Sequence, residues 1–175
     1  MQTTHDFSFF ELVKARYSCR NYRAQSIEPE KMERILEAGR TAPTACNNQP
    51  QRIKLIADPK DLAKMDDCTP CRFNAPAALL VCYDKTVCWK RGFDGQGSGE
   101  VDASIVATHL MLAAQEAGLG TCWVMYFDPA KTTETFALPE NIVPVAFLPI
   151  GYPADGAAPS GSHKNRLPLD KLLLD

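Results

Sequence analysis

The sequence predicts a layered fold of helices and strands, either α/β or α+β, in one domain spanning residues 1–175. Segments with helical spacing of apolar residues alternate with short apolar runs bounded by turn residues. The length of 175 residues is below the ~250 at which chains divide into domains. No apolar run approaches ~18 residues and no N-terminal stretch resembles a signal peptide, so we expect neither a membrane span nor secretion.

The N-terminal part predicts two helices. Ser8 and Glu11 form a capping-box pattern at the start of a helix over Ser8–Arg16. A second helix begins near Pro29, a favourable first-turn residue, and ends before Pro43, because the residue preceding a proline avoids helical geometry. Its apolar face consists of Met32, Ile35 and Leu36.

The middle of the chain predicts a strand over Arg52–Ala57, a short helix over Pro59–Met65 and a buried strand over Pro76–Tyr83. The polar segment Lys85–Gly99 is typical of a mobile loop, and it carries two aromatic residues, at positions 89 and 93. Either these aromatics are available to a ligand or they pack onto the core.

The longest predicted helix, Glu100–Ala117, is apolar on nearly every side. In a small protein this predicts burial on two sides, and therefore a subunit interface. A strand over Thr121–Phe127, a helix over Asp128–Phe136 and a strand over Val143–Ile150 follow. Beyond a Gly/Pro-rich linker, Leu169–Leu174 is expected to pack as an arm on another apolar surface, and a second subunit is one candidate.

Charge and cysteine content restrict the function further. Nineteen basic and 21 acidic residues leave a net charge of −2, which argues against nucleic acid as the main partner. Seven cysteines, an odd number, predict reduced thiols in the cytoplasm. One alternative stays open at this point, a thiol-rich metal-binding module around Cys68, Cys71, Cys82 and Cys88.

Three polar segments are candidates for ligand binding. In Arg16-Tyr17-Ser18-Cys19-Arg20, alternate residues face the same way, so two guanidiniums and a hydroxyl can converge on an anion. The alternative is a solvated basic cluster at a helix end. Ala42–Pro50 supplies amide side chains, and Lys164 with Arg166 forms a natural phosphate pair.

With these segments in this order, the chain resembles the FMN-dependent nitroreductases. Five motifs carry the resemblance along residues 7–175: the basic-x-Ser-x-basic element at 16–20, Ala42–Pro50, Gly118–Trp123, Gly151–Pro153 and Arg166–Leu169. Three departures concern the substrate pocket. Gln51 replaces a usual aromatic, Met125-Tyr126 replaces a common Gly-Gly, and Lys85–Gly99 replaces larger helical insertions.

The resemblance implies an α+β, nitroreductase-like fold with a central mixed β-sheet flanked by helices. It also implies an intertwined homodimer with C-terminal arm exchange and two interfacial FMN sites. One wall of each site would be Arg16, Tyr17, Ser18 and Arg20. The partner subunit would contribute Pro43, Thr44, Ala45 and Asn47. Backbone N–H groups of Trp123, Val124 and Met125 would lie along the flavin ring, and Lys164 and Arg166 would close the phosphate end.

The implied activity is electron transfer from NAD(P)H through FMN to a nitroaromatic, quinone or other conjugated small molecule. The flavin carries this chemistry, so we assign no catalytic side chain and no metal ligand. An alternative within the same fold is a specialised reaction, either reductive dehalogenation or flavin breakdown. The sequence leaves open the acceptor and the choice between NADH and NADPH.

Overall fold

Residues 8–174 are described by the computed structural model of the chain. Its helices are α1 (Phe9–Ala15), α2 (Pro29–Arg40), α3 (Pro59–Cys68), α4 (Gly99–Glu116) and α5 (Pro129–Thr135). Its strands are β1 (Gln51–Ile56), β2 (Ala77–Asp84), β3 (Gly120–Thr121) and β4 (Ile142–Gly151). All nine predicted helices and strands are present, and the capping box of Ser8 and Glu11 forms at α1.

The four strands form one sheet in the order β1-β2-β4-β3, and each neighbouring pair is antiparallel. The prediction of a mixed sheet is therefore wrong for these strands. Among the described residues, the parallel pairing is an isolated bridge between Ser18 and Thr121.

Helices cover both faces of the sheet, because strand residues alternate between them. Leu79 and Val81 of β2 pack with α2 and α4 in one apolar cluster. Leu80 and Cys82, on the opposite face, pack with residues of α3 and with Phe136. This gives a three-layer α+β arrangement with the sheet in the middle.

The strand predicted over Thr121–Phe127 is the least accurate element, since β3 contains only Gly120 and Thr121. Cys122 donates its N–H to the carbonyl of Pro149 at 3.2 Å, but a proline has no N–H to return. The ladder is interrupted there and resumes as a single bridge between Val124 and Phe147. A proline on the neighbouring strand therefore shortened this element.

Several apolar surfaces are left open in one copy of the chain. Phe9 and Phe10 of α1 are exposed, and so is Val101 of α4, while Ile105 is half-buried. The leucines of the C-terminal arm are also exposed, namely Leu167, Leu169, Leu172, Leu173 and Leu174. Across the described part of the chain, no helix combines the length and the apolar character needed to cross a bilayer.

Candidate functional site

The segment Arg16–Arg20 lies extended against the β3 edge of the sheet. The backbone N–H of Cys19 donates to the carbonyl of Thr121 at 2.9 Å, and Ser18 forms the parallel bridge with the same residue. The approach requires a glycine at position 120, because a Cβ there would lie 2.7 Å from the Cβ of Cys19. Gly120, within the motif Gly118–Trp123, therefore positions the basic segment.

Tyr22 fixes the same segment from behind. Its hydroxyl donates to the carbonyl oxygens of Cys19 at 2.8 Å and Pro149 at 3.2 Å. Burial of the ring raises the pKa of Tyr22 far above its ordinary value, so the hydroxyl remains a donor. Tyr22 also forms an isolated antiparallel β-bridge with Pro153. The motif Gly151–Pro153 therefore helps to hold the basic segment in place.

The backbone N–H groups from Cys122 to Met125 point alternately towards β4 and away from it. Those of Cys122 and Val124 donate to Pro149 and Phe147, at 3.2 and 2.9 Å. Those of Trp123 and Met125 have no acceptor within the described chain. The expectation that Val124 offers its N–H to a flavin is therefore wrong, whereas Trp123 and Met125 keep theirs available.

The basic residues around this wall have no carboxylate partner. Arg16, Arg20 and Arg166 form no ion pair within residues 8–174, and neither does Lys164. Every other arginine has a carboxylate oxygen within 4.0 Å. Paired arginines have part of their charge neutralised, whereas these four cations keep their full charge for an anionic ligand.

The C-terminal segment reaches the same wall within one subunit. The ring of His163 lies edge-on to that of Tyr17, with 6.5 Å between centroids, and its Nε2 is 3.4 Å from the carbonyl of Lys14. These contacts place Lys164 next to the end of α1. Arg20 stands over the ring of Phe73, 6.0 Å from its centroid, a contact that the sequence did not indicate.

The second predicted segment, Ala42–Pro50, is held by α4. The N–H of Ala45 donates to Oδ1 of Asp102 at 2.9 Å, and the hydroxyl of Ser98 donates to Oδ2 at 2.7 Å. Asp102 is only 2% exposed. Sequence reasoning missed it, and the signal was a carboxylate on the otherwise apolar buried face of α4. Asn47, at a φ of 55°, is left exposed.

The two segments lie at diagonally opposite corners of the sheet. Gln51, which follows the second segment, is aligned through Tyr83 with Val143 of β4. Thr121, beside the first segment, pairs with Ile150, seven residues further along β4 and three strands across from β1. With about 3.3 Å per residue and about 4.8 Å per strand, the corners are about 27 Å apart.

The four cysteines of the metal-binding alternative are not assembled into a site. Within residues 8–174, no three His, Cys, Asp or Glu side chains are placed to share a metal ion. Burial raises the pKa of Cys82 to about 12, so this thiol stays protonated at neutral pH. The Cys68 thiol is buried and donates to the carbonyl of Lys64 at 3.3 Å.

Comparison with known proteins decides the family. The sequence pattern of the Nitroreductase family matches residues 13–78 and 72–152. The chain belongs to the nitroreductase family. The resemblance proposed from the five motifs is thereby confirmed.

Solved and curated nitroreductase relatives agree with this assignment. A nitroreductase family protein of Clostridium difficile 630 is 41% identical, with a TM-score of 0.90 over 96% of this chain and 98% of that one. The FMN reductase [NAD(P)H] of Bacillus subtilis is 28% identical over 91% of this chain and 71% of its own length. A structure from Exiguobacterium sibiricum 255-15, solved in complex with FMN, shares the fold at a TM-score of 0.84 and 24% identity, covering 99% of both chains.

Proposed function

We propose that this nitroreductase family member is a homodimeric, FMN-dependent oxidoreductase that transfers electrons from NAD(P)H to a small conjugated acceptor such as a nitroaromatic or a quinone. The observation that carries the proposal is that cations and backbone N–H groups, both without a partner among residues 8–174, lie together at one edge of the sheet. The names of the relatives, an FMN reductase using NAD(P)H among them, agree with this chemistry.

The residues at the β3 edge fit FMN. Arg16, Lys164 and Arg166 offer three cations without carboxylate partners in the described chain, as a phosphate monoester requires. The N–H groups of Trp123 and Met125 face away from the sheet and suit the polar edge of a flavin ring. Arg20 is the candidate for the pyrimidine edge, where a cation stabilises negative charge on reduced flavin.

A two-subunit site follows from the diagonal arrangement of the segments. Residues about 27 Å apart cannot both line one flavin ring within a subunit, but a two-fold axis can bring the corner of one copy to the opposite corner of the other. The exposed face of α4 and the leucine-rich arm supply apolar surface for that association. In this proposal Pro43, Thr44, Ala45 and Asn47 come from the partner subunit.

The protein contributes binding, orientation and electrostatics to the reaction. Bound FMN would supply the redox chemistry, taking up a hydride from reduced nicotinamide and passing electrons to the acceptor. Arg20 would make reduction easier by stabilising the negative charge that develops. No side chain is assigned as a general acid, so protons come from water. The thiols, none of them in a disulfide, suit a reducing cytoplasm.

The test is anaerobic spectroscopy of the purified holoprotein. We expect a yellow protein whose flavin absorbance bleaches when NADH or NADPH is added and returns when a quinone or nitroaromatic compound is added. A protein without flavin would contradict the proposal. A flavoprotein that dithionite reduces but neither nicotinamide nucleotide reduces would contradict the donor. Turnover of only a halogenated substrate or of free flavin would instead support a specialised reaction.

A further inference from the structure

A polar cavity of about 540 Å³ lies between the segment after β2 and the first turn of α4. Lys85 and Lys90 line one side, Gln96 contributes an amide, and Tyr83 lines the cavity from the end of β2. The other side is the start of α4, residues 99–101. Gly99 allows the ring of Tyr83 to pack directly on the helix backbone, since any Cβ there would overlap the ring.

The cavity is electropositive. Neither Lys85 nor Lys90 has a carboxylate oxygen within 4.0 Å among residues 8–174, and Glu100 is the acidic residue on the lining. Asp84 and Asp94, which lie close to the two lysines in the sequence, are already engaged. Asp84 accepts from the Thr86 hydroxyl at 2.6 Å, and Asp94 pairs with Arg91 at 2.7 Å.

The lysine-bearing segment is folded by its own hydrogen bonds. The N–H of Arg91 donates to the carbonyl of Gln96 at 2.9 Å, and the N–H of Ser98 donates to that of Trp89 at 2.8 Å. Together with the Arg91–Asp94 ion pair, these bonds form a hairpin with Lys90 at its base. A preorganised cation loses less entropy on binding than one on an unrestrained loop.

The cavity adjoins the second flavin-site segment. The Asn48 amide donates to the carbonyl of Val87 at 3.0 Å, and the N–H of Asp84 donates to that of Pro50 at 2.8 Å. The same corner of the sheet is the one that would meet the flavin of the partner subunit. A molecule seated in the cavity would therefore lie next to that segment.

We propose that this cavity binds phosphate of the reduced nicotinamide dinucleotide, with Lys85 and Lys90 as the phosphate-binding residues. This inference rests on the proposed function, because it assigns a site to the electron donor of that reaction. Phosphate in this donor has two sources: the pyrophosphate, which NADH and NADPH share, and the 2′-phosphate, which only NADPH carries. The experiment separates them.

The experiment uses the FMN-loaded dimer and three donors: NADH, NADPH and N-benzyl-1,4-dihydronicotinamide, which has no phosphate. Anaerobic stopped-flow absorbance gives the rate constant of flavin reduction and the Kd of the donor in the wild type, Lys85→Gln, Lys90→Gln and the double variant. The rate with the phosphate-free donor is each variant's reference. Lys60→Gln is the matched control, because Lys60 is exposed on α3 and forms no ion pair within residues 8–174.

For the double variant we expect the ratio of the reduction rate constant to Kd with a dinucleotide, relative to that with the phosphate-free donor, to fall about 10- to 100-fold through a higher Kd. A fall with both dinucleotides identifies the pyrophosphate, and a fall with NADPH alone identifies the 2′-phosphate. Unchanged ratios, or an equal effect of Lys60→Gln, would overturn the assignment while leaving the proposed function intact. A wild type that only the phosphate-free donor reduces would instead overturn the proposed donor.

Discussion

Asp102 connects two loops that are far apart in the sequence, since one carboxylate oxygen accepts from Ala45 and the other from Ser98. Asp102→Ala should lower the free energy of unfolding by about 2 kcal/mol, because it leaves two partly buried donors without their acceptor. Asp102→Asn should cost less, since the amide oxygen can still accept from Ala45.

Urea denaturation and FMN titration would measure both effects of Asp102, with Asp67→Ala, at an exposed position of α3, as the control. We expect the alanine variant also to bind FMN more weakly, because the Ala42–Pro50 segment loses its anchor. Equal stability of Asp102→Ala and Asp67→Ala would contradict the role of this carboxylate.

Arg16 and Arg20 should have separable effects, although both are in one short segment. Arg16→Ala should weaken FMN binding by about tenfold or more, because it removes a charge-assisted phosphate contact. Arg20→Ala should mainly lower the flavin reduction potential, because the reduced anion loses a nearby cation. Fluorescence titration and redox titration measure the two quantities. Wild-type affinity and potential in both variants would show that this segment is not the flavin wall.

The residue scale also shows what the sequence could and could not predict. The spacing of Arg16, Ser18 and Arg20 indicated a shared direction, because side chains alternate along extended backbone. Asp102 and Phe73 were missed because their partners, Ala45 and Arg20, are more than 50 residues away in the chain. Only the folded arrangement brings them together.

At the scale of elements, local rules predicted helices better than strands. The cap of α1 and the proline start of α2 depend on neighbouring residues alone, and both are present. The length of β3 depends instead on Pro149 of the neighbouring strand, which cannot complete the ladder opposite Cys122. The antiparallel pairing throughout the sheet was not predicted either, because the sequence of a single strand does not determine its neighbours or their directions.

Asp84 makes the loop after β2 sensitive to acid. The Thr86 hydroxyl, the Asn141 side chain and the Thr86 N–H lower the pKa of Asp84 to about 2 from an ordinary 3.8. Because the folded pKa is the lower one, the ionised carboxylate stabilises the fold above about pH 4, and this contribution disappears as the pH falls towards 2.

Chemical denaturation of the apoprotein between about pH 2 and 6 tests this behaviour of Asp84. The wild type should be more stable than Asp84→Asn at pH 6, and the two curves should converge near pH 2. Asp67→Asn, a substitution at an exposed carboxylate, should follow the wild type throughout. A constant gap between wild type and Asp84→Asn down to pH 2 would contradict the assignment.

At the scale of the whole molecule, the diagonal separation of the two segments makes the proposed dimer a requirement for binding. The β3 corner presents cations and free N–H groups, and the β1 corner presents Asn47 on a segment held by α4. In the proposed arrangement, one copy alone would therefore offer two half-sites. The sequence indicated both halves as motifs, but their separation follows only from the strand register.

Mixed dimers test this arrangement directly. Arg16→Glu should disable the cationic half-site, and Asn47→Asp should disable the other half with an isosteric residue that tolerates the left-handed backbone. Each variant alone should bind FMN poorly.

The two variants, carrying different affinity tags, should form mixed dimers when they are produced together. In a mixed dimer, one FMN site has both normal halves and the other site has both altered halves. Random pairing then restores about one FMN site in four, and a double-affinity purification isolates dimers with about one FMN per pair. If each subunit contained a complete site, no mixed dimer would recover FMN, and the shared-site proposal would be wrong.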